Sequence, residues 1–213
     1  MKAAERRENL KERLIAAAEK TISASGLGGL RAREMAYRVG CAVGAIYNVV
    51  ADLDELILFV NSRTIKALEH AVVTATAGKQ APANAEEAIA RLVQLSIVYT
   101  DFAATNTQRW RALFEHRLPE GRPLPHWYSQ EQMRLFSLVE EPLKVLQPQA
   151  SHKRIALVAR SLVSAVHGVV TLGLEEKLYT LPLTSLREQV TFVVSAIGHG
   201  LATERRQRMR EDS

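Results

Sequence analysis

Residues 31–56 read RAREMAYRVGCAVGAIYNVVADLDEL, and this stretch decides the fold. Arg31 to Val39 places Met35, Ala36 and Val39 on one side of a short helix. That helix ends at Gly40, the residue type that takes the left-handed conformation past a helix end. After a tight connection, Val43 to Val50 predicts another short helix with Ile46 and Val50 four apart. Upstream, Leu10, Leu14, Ala17, Ala18, Thr21 and Ile22 recur at helical spacing until Ser25-Gly26 and Gly28-Gly29 stop them. Two short helices joined by a glycine-containing turn, behind a supporting first helix, are the layout of a helix-turn-helix, whose second helix enters the major groove of DNA.

Outward from that stretch the pattern stays helical, and no segment sustains a period of two. Leu53, Leu56, Ile57, Val60, Thr64, Ala67, Leu68 and Ala71 describe a long amphipathic helix that runs to the break at residues 78–82. Further helices are expected over about 84–104, 106–116, 125–147, 151–175 and 184–206, punctuated by Pro119, Pro125, Pro148 and Pro182. The expected fold is therefore all-α with about nine helices. It comprises a three-helix DNA-binding domain at 1–52, a helical ligand-binding and dimerisation domain at 53–206 and a charged tail at 207–213. The helices at 151–175 and 184–206 are apolar nearly all round, with Ala159, Gly168, Gly198 and Gly200 among the small residues interleaved. Such helices must be buried on more than one side, which predicts a two-fold homodimer interface between them rather than a monomer core alone.

The chain has 213 residues and is 47% hydrophobic, enough to bury a real core. Its net charge of +5 is uneven: residues 1–50 carry nine Lys/Arg against five Asp/Glu, residues 51–203 carry fifteen of each, and the last ten carry four against three. A basic N-terminal module on a neutral body is the footprint of a protein that binds a polyanion with one end. The single cysteine, Cys41, excludes an internal disulfide framework. No apolar run reaches the roughly eighteen residues of a membrane span and no leader is visible, so a cytoplasmic protein is expected. His116, His126, His152 and His167 do not fall into a metal-ligand or catalytic spacing, so neither an enzyme nor a cofactor or metal is expected.

Residues 31–56 closely resemble the DNA-binding signature of the TetR/AcrR family of repressors. In that family a buried Ala, a turn Gly, a Gly opening the recognition helix, a Tyr near its end and an acidic-Leu pair opening helix four recur in order. Ala36, Gly40, Gly44, Tyr47 and Glu55-Leu56 match them here. The resemblance implies a palindromic double-stranded operator contacted by Arg6, Arg7, Arg31, Arg33, Ala42, Val43, Gly44, Tyr47 and Asn48, with Val43 and Asn48 at base edges. Three positions depart from the family pattern. Ala42 replaces the usual Ser or Thr cap, Leu53 a Lys, and Val50 an aromatic residue, which shifts the backbone clamp toward the arginines.

The C-terminal half resembles a branch of that family marked by a Trp in one helix and a His-Gly pair in a later one, matched by Trp110 and His167-Gly168. The resemblance implies release from DNA by a small-molecule effector. Trp110, His167, Phe114, Tyr99 and Phe102 are the expected pocket residues, with the pocket near helix four. A DNA-binding factor of the same layout without an effector is the alternative.

Overall fold

The structure, a computed structural model, describes residues 3–175 and 182–211, with side chains through residue 204. The charge of the tail expected at 207–213 lies outside the described side chains. In chain order the helices are α1 (Ala3–Ser25), α2 (Ala32–Val39), α3 (Val43–Ile46), α4 (Leu53–Thr76), α5 (Ala85–Thr105), α6 (Thr107–Glu115), α7 (His126–Leu146), α8 (His152–Leu174) and α9 (Leu183–Glu211), with a 3-10 turn at Leu27–Gly29. Among the described residues there is no strand. The chain divides into two compact units. One comprises the residues up to Ala67 together with Asn106–Glu131, the other Leu68–Thr105 with the residues from Gln132 onward.

In the first unit, α1 turns Leu14, Ile15, Ala18 and Ile22 inward, where they meet Met35, Ala36 and Val39 of α2, Ile46 of α3 and Leu56 of α4. The end of α2 has a clear local cause. Gly40 sits at φ 67°, ψ 45°, its N–H donates to the carbonyl of Tyr37, and the Cys41 N–H donates back to Ala36 over 3.0 Å. This pair of bonds satisfies carbonyls the helix would otherwise leave open, in a backbone conformation that favours glycine.

The second short helix is shorter than its apolar spacing predicts. It ends at Ile46, and Asn48 and Val49 donate to carbonyls three residues back, at 3.3 and 3.0 Å. Ala42 offers no capping side chain, and the β-branched Val49 and Val50 gain more by turning into the core, where both are buried, than by extending a helix.

The sequence reading sets a boundary at 52/53, whereas contacts group α6 and the first residues of α7 with the N-terminal segment. Helix α6 joins α1 and α4 through Ala112, which is buried in their core and accepts from Asn61 Nδ2 at 3.2 Å, and through Arg109, which pairs with Glu19 at 2.6 Å. Trp110 on the same helix is 1% exposed and stands 5.5 Å edge-on from Phe114.

The second unit is built on α5, α8 and α9 with the continuing parts of α4 and α7. Helix α5 starts with a reciprocal cap: Glu87 N–H donates to Asn84 Oδ1 at 3.0 Å, and Ala83 N–H donates to the Glu87 carboxylate at 2.8 Å. Ser151 caps α8 by accepting from Arg154 N–H. Ile155, Val158, Leu162, Val166 and Val170 of α8, with Leu186, Val190 and Val194 of α9, form the buried face. At Gly198 a side chain would meet Ile89 Cγ1 at 2.8 Å, so one of the interleaved small residues serves the packing of α9 on α5 inside the chain. Over an 18-residue window α8 reaches a mean hydropathy of 1.8, long and apolar enough by composition to cross a membrane, and 33% of that window is buried inside the chain. The run is interrupted by Arg160, Ser161, Ser164 and His167, which is why it does not read as continuous apolar sequence.

Candidate nucleic-acid interface and ligand cavity

All nine residues expected at DNA are solvent-exposed in the first unit. Arg6 and Arg7 lie on α1, Arg31 and Arg33 at the start of α2, and Ala42, Val43, Gly44, Tyr47 and Asn48 in and after α3. Tyr47 is half exposed while its neighbours Ile46 and Val49 are buried, so α3 is anchored by one side and presents the other. Tyr37 on α2, 83% exposed, is a further aromatic side chain of this unit that the sequence reading left out; two helical turns of apolar spacing carried no sign of it. Gly44 has a negative φ, and a Cβ built there meets nothing within 4 Å, so neither conformation nor packing inside the chain demands a glycine.

The basic residues of residues 1–50 separate into two kinds. Arg13 donates to the carbonyl of Val39 and ties α1 to the end of α2; Arg38 pairs with Glu34 at 2.7 Å; Lys11 lies 4.0 Å from the Phe59 ring centre. Arg6, Arg7 and Arg33 have no ion-pair partner among the described residues, and Arg31 reaches only the Leu30 carbonyl. The structural cations thus hold the unit, and the unspent ones remain for an external anion.

Just past α3, acidic residues fix the start of α4. Asp52 Oδ1 accepts from Glu55 N–H at 2.8 Å, and the Glu55 carboxylate accepts from Ala51 N–H at 2.5 Å. This reciprocal cap supplies a physical role for the acidic residue of the signature. Arg122 pairs with Asp52 at 2.5 Å, and His116 Nε2 lies 3.0 Å from Asp54. Partial burial pushes the Asp52 carboxyl up, but the Glu55 amide and the Arg122 guanidinium outweigh it and hold the group below the usual carboxylate range.

The second unit holds a cavity of about 100 Å³, partly open to solvent and walled by residues of α4, α5, α7, α8 and α9. Of the expected pocket residues, Tyr99 lines it. His167 stands behind, with Nδ1 2.9 Å from the Tyr99 hydroxyl and Nε2 3.3 Å from Thr171 Oγ1, and burial pulls its pKa below the ordinary value. Phe102 is buried on α5 but is not part of the wall. Trp110 and Phe114 belong to the other unit, as an edge-on pair on α6. The wall residues that sequence reading missed, such as Leu95, Val139 and Val163, carry ordinary core spacing, and nothing local separates a cavity wall from a filled core.

Residues 92–197 match the family described as tetracyclin repressor-like, C-terminal domain. The sequence matches no curated protein. Among solved structures, a protein of unknown function from Rhodococcus sp. RHA1 superposes with a TM-score of 0.70 at 21% identity, covering 91% of this chain and 95% of that one. A TetR-family transcriptional regulator from Streptomyces coelicolor gives 0.66 at 19% identity over 92% and 83%. RolR in complex with resorcinol gives 0.63 at 14% identity over 93% and 95%. At these identities the likeness establishes the all-helical fold alone. The Trp and His-Gly branch is not separately supported.

Proposed function

We propose that this chain, whose residues 92–197 match the tetracyclin repressor-like C-terminal domain family, is a DNA-binding transcriptional regulator. In this reading it is a cytoplasmic homodimeric repressor, without catalytic activity, that a small molecule releases from its operator. The observation that carries the DNA-binding role is the face around α3. Its nine expected contact residues are all exposed, its free arginines are unspent, and Gly44 lacks a side chain for no reason internal to the fold. A glycine there fits a backbone that must approach something outside the chain.

Dimerisation is supported by the apolar side chains that α8 and α9 leave in solvent. Leu157, Leu172 and Phe192 are 55%, 56% and 74% exposed. Two copies of this face would cover each other around a two-fold axis, and the two recognition helices would then read a near-palindrome. That RolR binds resorcinol supports an effector for this chain.

The test begins with selection of bound duplexes from a random pool by the full chain. Tight, salt-sensitive binding of a near-palindrome by a species of twice the chain mass is expected. Gly44→Leu should abolish binding with the melting temperature unchanged. Binding of arbitrary duplexes with equal affinity by wild type and variant, or a strict monomer at micromolar concentration, would sink the reading.

A further inference from the structure

The cavity of the second unit specifies its ligand more closely than the regulator reading requires. It holds about 100 Å³. Pockets for drug-sized molecules run to roughly 300–1,000 Å³, whereas an apolar cavity of about 150 Å³ in another protein stays dry and takes up benzene. Twelve of the fourteen wall residues are Leu, Val or Phe, and none is charged.

The two polar wall residues already have partners. Ser96 Oγ donates to the Val93 carbonyl at 2.7 Å, and the Tyr99 hydroxyl is bonded to His167 Nδ1. His167, held toward its neutral form by burial, adds no positive charge behind the wall. A charged ligand would therefore lose its hydration without meeting a counter-charge, and a strongly polar one would exchange bonds to water for few in return. An apolar ring loses nothing and fills contacts that the five surrounding helices now lack.

We propose that this cavity binds an uncharged, apolar molecule the size of a single six-membered ring, with or without one small substituent, and rejects carboxylates and fused rings. Occupancy of the cavity stands on its walls alone; that its occupant acts as the effector rests on the regulator reading.

The experiment uses the full chain with toluene, benzoate and naphthalene, followed by calorimetry, thermal unfolding and nuclear Overhauser contacts. Toluene should raise the melting temperature in proportion to the logarithm of its concentration, while benzoate and naphthalene at equal concentration leave it unchanged. Its ring protons should show contacts to methyl groups of Leu95 and Val163, a readout that needs no variant. Val163→Phe and Val139→Phe should each remove the toluene response while duplex DNA binding persists, and Leu95→Ala should gain a response to naphthalene. Benzoate binding as tightly as toluene, toluene contacts elsewhere in the chain, or a response surviving both filling variants would overturn the proposal.

Repeating the toluene titration on the operator complex separates the two ideas. Toluene that fills the cavity without loosening DNA upholds the ligand assignment and removes its effector role. Release of DNA by a charged or larger compound, with toluene inert, overturns the ligand assignment and leaves the regulator reading standing.

Discussion

Both units have an apolar core and some ion pairs, such as Arg187 with Asp101 in the second, but they differ in what they add to that core. The first is tied by directional polar contacts: Glu19 takes both Arg63 and Arg109, Asp52 and Asp54 share Arg122, and Arg13 closes on the end of α2. Each exposed pair contributes little to stability, about 0–1 kcal/mol, so their effect is on geometry rather than on the strength of the fold. The second unit has a wall of apolar side chains around a volume they do not fill. Dispersion is non-directional and leaves that volume available to a guest. Fixed geometry suits a surface that must match a duplex, and unfilled apolar volume suits a site whose occupant contributes the missing packing.

The sharpest way to break this comparison is Trp110→Ala. Because the indole is only 1% exposed, the variant should lose about 3–5 kcal/mol in chemical unfolding. A loss under about 1 kcal/mol, with ligand response gone, would return Trp110 to the cavity instead.

Next in size is the DNA face. Arg33→Ala and Tyr47→Ala should weaken operator binding while melting as wild type, and Arg33→Ala should lower the slope of log affinity against log salt by about 1. An unchanged slope would remove Arg33 from the phosphate contacts.

Asp52→Ala removes a helix cap and an ion-pair partner, and a stability loss of about 1 kcal/mol is expected at neutral pH. The Asp52 carboxyl lies below its unfolded value, so its contribution is present above the unfolded pKa of about 3.9 and is lost as pH falls through the folded one. Stability curves of variant and wild type should therefore converge in acid. Curves that stay parallel to pH 2 would show that the cap does not depend on ionisation.

The smallest effect belongs to His167. Burial depresses its pKa, so the unfolded chain binds the proton more readily and stability should decline as pH falls below about 6.5. His167→Gln should flatten that part of the curve. An identical decline in the variant would place the titration on another group.

If the regulator reading holds, an effector that prefers the DNA-incompetent form by about 1–3 kcal/mol should weaken operator binding roughly 5- to 150-fold, and operator should weaken effector binding by the same factor. Equal affinities with and without operator would leave the ligand a mere occupant.

By itself the sequence determined the all-helical class, the order of the helices and the turn at Gly40, because these depend on spacing and backbone preference within a few residues. It also determined the composition of the α3 face, since Gly44, Tyr47 and Asn48 are legible wherever the helix points. Only the tertiary structure decided which surfaces the apolar faces meet. Helix α6 is legible from its spacing, yet its place in the first unit depends on contacts with residues far away in sequence, such as Arg109 with Glu19 and Ala112 with Asn61. On α9 the same run of apolar residues sends Val190 and Val194 into the core and leaves Phe192 in solvent. The cavity, too, exists only where side chains from five helices fail to meet, a volume that no single helix encodes because it is set by the distances between them.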